Sequence, residues 1–255
     1  MNYGIQMFSV RDVASVDLHA ALKAVAELGY TEVEFAGFFE NSAEDVRSWL
    51  DELGLTPVAT HTRLDFLTPE CIDETIEYHR VIGCDKIVVP NAKWGTDELL
   101  ESNIAAINFA DKYLSERGIK LGFHNHSVEL HTFPYGKMPL EEIITRTEVE
   151  LEPDIFWLFN AGVDPVTFLE QYKDRITMIH LKDGKVPVGL ERNWSNSSEG
   201  VISLSVGSGD APIKEVYDWA LANGKRMIVE SGGANPTGPE ESGRCIEYLR
   251  SIEKK

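Results

Sequence analysis

The sequence lacks three features, and each absence argues against a class of protein. Its three cysteines form no Cys-x-x-Cys pair, which argues against a disulfide framework and against a thiolate zinc site. No apolar run approaches the roughly 20 residues of a membrane-spanning helix. The first residues, Met-Asn-Tyr-Gly-Ile-Gln, show neither the basic start nor the cleavage site of a secretory signal. We therefore expect a cytoplasmic protein with reduced thiols and no membrane partner.

Basic residues are also scarce. The 24 Lys and Arg residues face 42 Asp and Glu residues, for a formal net charge of -18 over 255 residues. Such a surface repels nucleic acid and anionic membranes, so neither is an expected partner. The apolar fraction of 43% is sufficient for a sizeable core.

Short apolar segments alternate with amphipathic helical segments along the whole chain. A predicted helix over residues 18–28 stops at Gly29, and Ser42 is the predicted N-cap of a helix that Gly54 terminates. Eight strand-then-helix units can be counted, as a (β/α)8 TIM barrel requires. The turn after the first strand reads Phe-Ser-Val-Arg-Asp, without the glycines of a dinucleotide-binding sheet. We expect residues 1–255 to form one α/β domain, a TIM barrel.

Three predicted segments bear directly on the placement of polar side chains. The pattern predicts a first strand over residues 3–9 and a strand region over residues 148–156. A polar stretch rich in Gly, Ser and Asn, residues 183–209, predicts a loop.

Polar residues end most of the predicted strands. The fifth strand closes with Phe-His-Asn-His-Ser-Val-Glu, which includes His124, His126 and Glu129. In a TIM barrel the carboxyl ends of all strands meet at one face, where active sites lie. Carboxylates and imidazoles gathered there suit Mn²⁺, Mg²⁺, Co²⁺ or Zn²⁺. The other strand-end residues are Gln6, Arg11, Glu34, His61, Asn91, Trp94, Asp154, His180, Lys182, Asp183 and Glu230. Each of them also has a structural interpretation; Glu34, for example, could pair with Arg11.

Several segments carry a resemblance to a known family. They read Gly-Ile-Gln-Met-Phe-Ser-Val-Arg-Asp at 4–12, Glu-Leu-Gly-Tyr-Thr-Glu-Val-Glu at 27–34, Gly-Phe-His-Asn-His-Ser-Val-Glu at 122–129, Ala-Gly-Val-Asp-Pro at 161–165 and His-Leu-Lys-Asp at 180–183. With these segments the chain resembles the sugar phosphate isomerase/epimerase group of the xylose isomerase-like TIM barrels. That group also includes dehydratases and endonuclease IV-like repair enzymes, so the resemblance implies fold and metal chemistry more closely than substrate.

The resemblance implies one divalent metal ion, held by Glu, Asp, His and Glu from the last four strands. Asp154, His180 and Glu230 match the last three ligands. At the fifth strand two candidates stay open, because His124 occupies the position of the family's Glu and Glu129 lies five residues later. We expect Glu129 to be the ligand, with Glu129 and Glu230 also acting as catalytic bases. His61, His124, His126, Trp94 and Lys182 are the expected substrate-binding residues.

The implied function is isomerisation or epimerisation of a small sugar, keto-sugar or cyclic polyol through a metal-stabilised enediolate. The same site would act as a dehydratase or lyase on a keto-polyol or keto-glycoside carrying a leaving group next to the enediolate. A non-catalytic sugar-binding barrel and an endonuclease IV-like phosphodiesterase are the remaining alternatives, and the acidic charge disfavours the latter. A small carbohydrate is thus the expected partner, and the family is also compatible with a homo-oligomer.

Overall fold

The computed structural model describes residues 2–190, 196–232 and 234–253. Eight parallel strands form one sheet, in the order β6-β5-β4-β3-β2-β1-β10-β7, and β8 pairs with β9 in a separate antiparallel hairpin. The strands are β1 Gly4–Gln6, β2 Glu32–Phe35, β3 Thr56–His61, β4 Lys86–Val89, β5 Lys120–His124, β6 Glu150–Glu152, β7 Met178–Leu181, β8 Asp183–Lys185, β9 Ile202–Leu204 and β10 Arg226–Val229.

Helices follow the barrel strands, as the alternating pattern predicts. They are α1 Arg11–Ala14, α2 Leu18–Leu28, α3 Ala43–Leu53, α4 Ile72–Ile82, α5 Asp97–Ser115, α6 Pro139–Arg146, α7 Ile155–Asn160, α8 Pro165–Gln171, α9 Ile213–Ala222 and α10 Gly238–Glu253. The predicted (β/α)8 TIM barrel is confirmed.

Among the described residues, no helix is both long and apolar enough to cross a membrane. All three cysteines are free.

Local sequence signals fix several helix ends. The side chain of Ser42 accepts a hydrogen bond from the backbone N–H of Asp45 at the start of α3, and Asp17 caps α2 in the same way. Gly29 and Gly54 end α2 and α3 with φ angles of 95° and 65°, a left-handed conformation that glycine adopts without a Cβ clash. These helix boundaries agree with the sequence prediction.

The barrel closes between β6 and β7 through isolated bridges rather than a continuous ladder. Leu151 pairs with Ile176 and Asp154 with His180, and the His180 N–H donates to the carbonyl of Pro153. The predicted strand over 148–156 is wrong in its second half, where α7 begins. Asp154 caps that helix through a bond from the N–H of Trp157, and Pro153 has no N–H to continue a ladder.

Two other predicted segments also differ. The first strand stops at Gln6 because the Gln6 side chain accepts from the N–H of Phe8 and caps a 3₁₀ turn over Met7–Val10. The loop predicted over 183–209 contains the hairpin of β8 and β9, and residues 191–195 of that loop lie outside the described residues. Single-sequence periodicity cannot detect such short strands, because three residues are too few to display a period.

The barrel interior has an apolar layer beneath its polar end. Val58, Ala59, Val88, Met178 and Ile228 form a buried cluster separate from the main core between sheet and helices. Side chains two positions apart in a strand face the same way, so His180 follows Met178 and Glu230 follows Ile228 into the barrel. This apolar layer isolates the polar end from the opposite end of the barrel.

One carboxylate organises the loop after the hairpin. Asp183 is buried, and its two oxygens accept hydrogen bonds from the N–H groups of Gly184, Gly207, Gly209 and Ala211 at 2.8–3.2 Å. A carboxylate can accept all four bonds, whereas an amide presents only one oxygen to the same donors. The loop from Gly207 to Ala211 therefore depends on the charge of this side chain.

We predict that Asp183→Asn lowers the free energy of unfolding by about 1–3 kcal/mol, because backbone donors in the loop lose their acceptor. Urea unfolding followed by circular dichroism measures the change. The matched control is Asp210→Asn, which removes the charge of an exposed neighbour and should leave the midpoint unchanged. Equal stability of Asp183→Asn and wild type would contradict this role for Asp183.

Candidate active site

Ionisable side chains from six strands meet at the carboxyl end of the barrel. Since all eight strands run in the same direction, their ends meet at one face. All of these side chains are buried except His61, whose side chain is 10% exposed. The residues are Glu34 of β2, His61 of β3, His124 of β5, Glu152 at the end of β6 and Asp154 after it, His180 of β7 and Lys182 after it, and Glu230 after β10.

One group, called here the Asp154 set, consists of His124, Asp154, His180 and Glu230. One nitrogen or oxygen from each residue lies within 4.8 Å of the others, a spacing that could hold a metal ion. His180 Nδ1 is 2.9 Å from Glu230 Oε2, and Lys182 donates to Glu230 Oε1 at 2.6 Å. Asp154 Oδ1 accepts from the N–H of Trp157, while its buried Oδ2 has no hydrogen-bond partner.

A second group overlaps the first and consists of His61, His124, Glu152 and His180. Three imidazole nitrogens converge on Glu152 Oε2, with His61 Nε2 at 2.9 Å, His180 Nε2 at 3.3 Å and His124 Nδ1 at 3.5 Å. Glu34 lies beside this group: its Oε2 is 2.6 Å from His180 Nε2 and accepts a bond from the Gln6 amide. His180 therefore contacts both groups, one through each ring nitrogen.

Burial and neighbouring charges set the ionisation of these groups. Burial raises the pKa of Asp154 to about 7. Burial also opposes the ionised form of Glu230, but Lys182 and His180 outweigh it and hold the pKa of Glu230 well below its ordinary value. In His180, the carboxylates of Glu152 and Glu34 outweigh burial and raise the pKa well above the ordinary value. The site thus contains an ionised carboxylate beside one that retains its proton near neutral pH.

Apart from His124, the predicted substrate-binding residues lie in three places. The ring of His126 lies 5.5 Å from that of Trp157, and the Lys182 ammonium lies 5.4 Å over the same indole. Burial lowers the pKa of His126 to about 4, which leaves its imidazole neutral near pH 7. His61 stacks on His180 with ring centroids 5.3 Å apart. Trp94 is buried elsewhere, with its ring against Phe123.

Glu129 lies in a different environment from the expected one. Its Oε1 accepts from Trp94 Nε1 at 2.9 Å, and its Oε2 accepts from the backbone N–H of His126 at 2.8 Å. This second bond belongs to a capping box at the start of the 3₁₀ turn Ser127–Leu130. Neither metal-binding group of the described residues includes Glu129; the fifth-strand residue in both is His124.

Glu152 is absent from the residues predicted from the sequence, and the structural alternative for Glu34, a pair with Arg11, is not found. Glu152 precedes Asp154 by two positions, and residues two apart in a strand face the same side, so the pair Glu152 and Asp154 is a signal that could have revealed it. Glu34 bonds to Gln6 and His180, not to Arg11. The Arg11 guanidinium instead donates to the carbonyls of Phe8 and Gly232.

The sequence profile of the xylose isomerase-like TIM barrel matches residues 22–252. The chain therefore belongs to the xylose isomerase-like TIM barrel family. The structure is similar to that of a sugar phosphate isomerase/epimerase from Parabacteroides distasonis, with a TM-score of 0.78 and 20% identity over 97% of each chain. At that identity the likeness concerns the fold.

Two inosose dehydratases are relatives by sequence. The protein from Geobacillus kaustophilus is 26% identical over 186 residues, which cover 64% of this chain and 60% of the relative. A protein from Mesomycoplasma hyopneumoniae is 28% identical over 189 residues, which cover 68% and 61% of the two chains. The chain thus spans about three fifths of the length of these curated relatives.

Because Glu129 is buried, the stability of the folded protein should depend on pH. Burial raises the pKa of Glu129 from 4.5 to about 7, although the bonds from Trp94 and His126 favour its ionised form. The folded state therefore binds one more proton than the unfolded chain between these two values, and this contribution to stability falls as the pH rises through that window. Glutamine has the same shape and does not titrate.

We expect Glu129→Gln to gain up to about 3 kcal/mol of unfolding free energy relative to wild type between pH 4.5 and pH 8. Urea unfolding at several pH values, with a chelator present, measures the difference. Glu247→Gln, at an exposed position of α10, is the control and should run parallel to wild type. Parallel curves for Glu129→Gln and wild type would show that Glu129 is ionised throughout.

Proposed function

We propose that this protein is a divalent-metal-dependent enzyme that isomerises or epimerises a small sugar, keto-sugar or cyclic polyol. The observation that carries the proposal is the Asp154 set, in which two carboxylates and two imidazoles converge within a few ångströms at the carboxyl end of the barrel. Membership of the xylose isomerase-like family and the inosose dehydratase relatives support an enzyme of this type.

The donor atoms fit a divalent cation. Asp154 Oδ2 is buried without a hydrogen-bond partner, an arrangement that costs free energy unless a cation or a water contacts it. We assign Asp154, His180 and Glu230 as the ligands, a set of oxygen and nitrogen donors suited to Mn²⁺, Mg²⁺, Co²⁺ or Zn²⁺. Three protein ligands leave coordination positions free for substrate oxygens.

The bound cation would supply Lewis-acid chemistry, polarising a carbonyl and acidifying the C–H beside it. Glu230 is the proposed base, because Lys182 and His180 keep its carboxylate ionised. His126, neutral near pH 7, and the Lys182 ammonium would donate hydrogen bonds to substrate hydroxyls above the Trp157 ring. Glu129 is assigned a positioning role, since its two hydrogen bonds hold Trp94 and the backbone of His126.

A second candidate function is dehydration. The two inosose dehydratase relatives favour it, and Lys182 supplies an ammonium that could protonate a departing hydroxyl beside the carbon that Glu230 deprotonates. Isomerisation and dehydration share the first proton abstraction and differ in the fate of the intermediate. Mass spectrometry distinguishes them, because only dehydration removes one water from the substrate.

The proton abstraction provides the test of both. We expect the Mn²⁺-loaded protein to exchange the α-hydrogen of a ketose or cyclic keto-polyol in D₂O, as detected by NMR. Glu230→Gln removes the base and should slow exchange by at least about 100-fold. Asp154→Asn should slow it through weaker Mn²⁺ binding, seen as a smaller thermal shift on adding the ion.

Two variants serve as comparisons in the same experiment. Glu247→Gln, on the surface of α10, should exchange like wild type, and Glu129→Gln should retain its Mn²⁺-dependent thermal shift. Absence of label across a broad panel of keto-sugars and keto-polyols would contradict an isomerase and a dehydratase alike and would favour a non-catalytic sugar-binding barrel. Loss of Mn²⁺ binding in Glu129→Gln would instead return Glu129 to the ligand set.

A further inference from the structure

A second cluster of four side chains borders the three proposed ligands of the catalytic ion and shares His124 with the Asp154 set. Glu34, His61, His124 and Glu152 come from four strands, β2, β3, β5 and β6. His61 Nε2 lies 2.9 Å from Glu152 Oε2 and 3.5 Å from Glu34 Oε1, and His124 Nδ1 lies 3.5 Å from Glu152 Oε2. One donor atom from each of His61, His124, Glu152 and His180 lies within 4.8 Å of the others, a spacing that could hold a metal ion, and Glu34 borders this group through His61 and His180.

The hydrogen-bonding state of these atoms is a separate observation. Glu34 Oε1, Glu152 Oε1 and His124 Nδ1 are all buried and have no hydrogen-bond partner. Native proteins pair nearly all such groups, and each exception requires an explanation. A cation among these side chains would give such atoms a partner and would offset the repulsion between the two buried carboxylates.

The ring nitrogen that carries the hydrogen decides which of the two metal-binding groups an imidazole can join. A neutral imidazole offers a lone pair on one nitrogen only, since the other nitrogen carries the hydrogen. His180 Nδ1 faces Glu230, and its Nε2 lies 2.6 Å from Glu34 Oε2, so an imidazole that binds the catalytic ion through Nδ1 would keep its hydrogen on Nε2 and donate it to Glu34. His180 therefore serves the Asp154 set, while His124 directs Nδ1 toward Glu152.

We propose that Glu34, His61, His124 and Glu152 form a second cation site, separate from the catalytic ion that Asp154, His180 and Glu230 hold. The inference rests on the proposed function only for the assignment of those three residues to the first ion. Two carboxylates and two neutral imidazoles carry a charge of −2, which one divalent cation neutralises. The nitrogen and oxygen donors favour Zn²⁺ or Co²⁺ over Mg²⁺ or Ca²⁺.

The two sites would serve different purposes. Four protein ligands close the coordination shell of a tetrahedral ion, as in structural zinc sites, whereas three ligands leave the catalytic ion open. The second ion would tie β2, β3, β5 and β6 together at the catalytic face. Glu34 would connect the two sites, because its Oε1 faces the second ion and its Oε2 accepts the N–H of His180, a ligand of the first.

Metal stoichiometry tests the inference with the full chain and without substrate. The protein is stripped with a chelator, titrated with Zn²⁺ in a calorimeter, and assayed for bound metal after dialysis. We expect two ions per chain in wild type, and one each in His61→Asn, Glu152→Gln and Asp154→Asn. The double variant His61→Asn/Asp154→Asn should bind none. His19→Asn, a half-buried histidine of α2 outside the site, is the control and should bind two.

One ion per chain in wild type, lost in Asp154→Asn and retained in His61→Asn and Glu152→Gln, would overturn the second site. Loss of both ions in His124→Asn would also overturn the division of ligands. Crystals of wild type grown with Zn²⁺ give a measurement that does not depend on any variant's folding: two anomalous peaks support the site, and one peak overturns it. Two ions without proton exchange would contradict the proposed function alone, and exchange with one ion would contradict the second site alone.

Discussion

The arrangement of polar side chains at the carboxyl end of this barrel depends on the two carboxylates that pair with the ring nitrogens of His180. Its imidazole is fully buried, with Nδ1 2.9 Å from Glu230 and Nε2 2.6 Å from Glu34. Desolvation of an imidazolium is costly, and carboxylates on both sides reverse the effect of burial on the pKa of His180. Glu34 lies in β2 and Glu230 follows β10, the two strands that flank β1, so this one ring connects side chains from both sides of β1.

The fold could be predicted from the sequence because its determinants are local. Ser42 and Gly54 mark the ends of α3 through hydrogen bonds and a backbone conformation that involve only neighbouring residues. The stop of β6 was missed because two competing signals overlap there: the apolar run through Phe156 continues, while Pro153 and Asp154 end the strand. Capping of α7 by Asp154 decides the outcome, since it satisfies a backbone N–H that a continuing strand would leave without a partner.

The members of the site were harder to predict than the fold. His180 lies near the end of the apolar strand β7, Glu230 follows β10, and Asp154 bridges to His180 just after β6. A barrel brings such strand ends together whatever the loops do. Glu152 lies within a Glu-Leu-Glu segment that resembles a half-exposed strand, and its burial follows only from barrel closure. Glu129 presented the opposite difficulty, because its place near two histidines in sequence suggested a ligand. A carboxylate three residues after the N-cap of a 3₁₀ turn can bond to local backbone, and Glu129 does so through the N–H of His126.

The charge balance of the interior explains why metal binding and protonation should be linked in this protein. Glu34, Glu152, Asp154 and Glu230 are four buried carboxyl groups, and the Lys182 ammonium offsets one of them. Protons can offset the rest, as the raised pKa values of Asp154, Glu34, His61 and His180 indicate. A divalent cation would compete for the same oxygens and nitrogens and would release those protons on binding. The apparent affinity for metal should therefore rise with pH, because the cation displaces bound protons, and fewer protons are bound at higher pH.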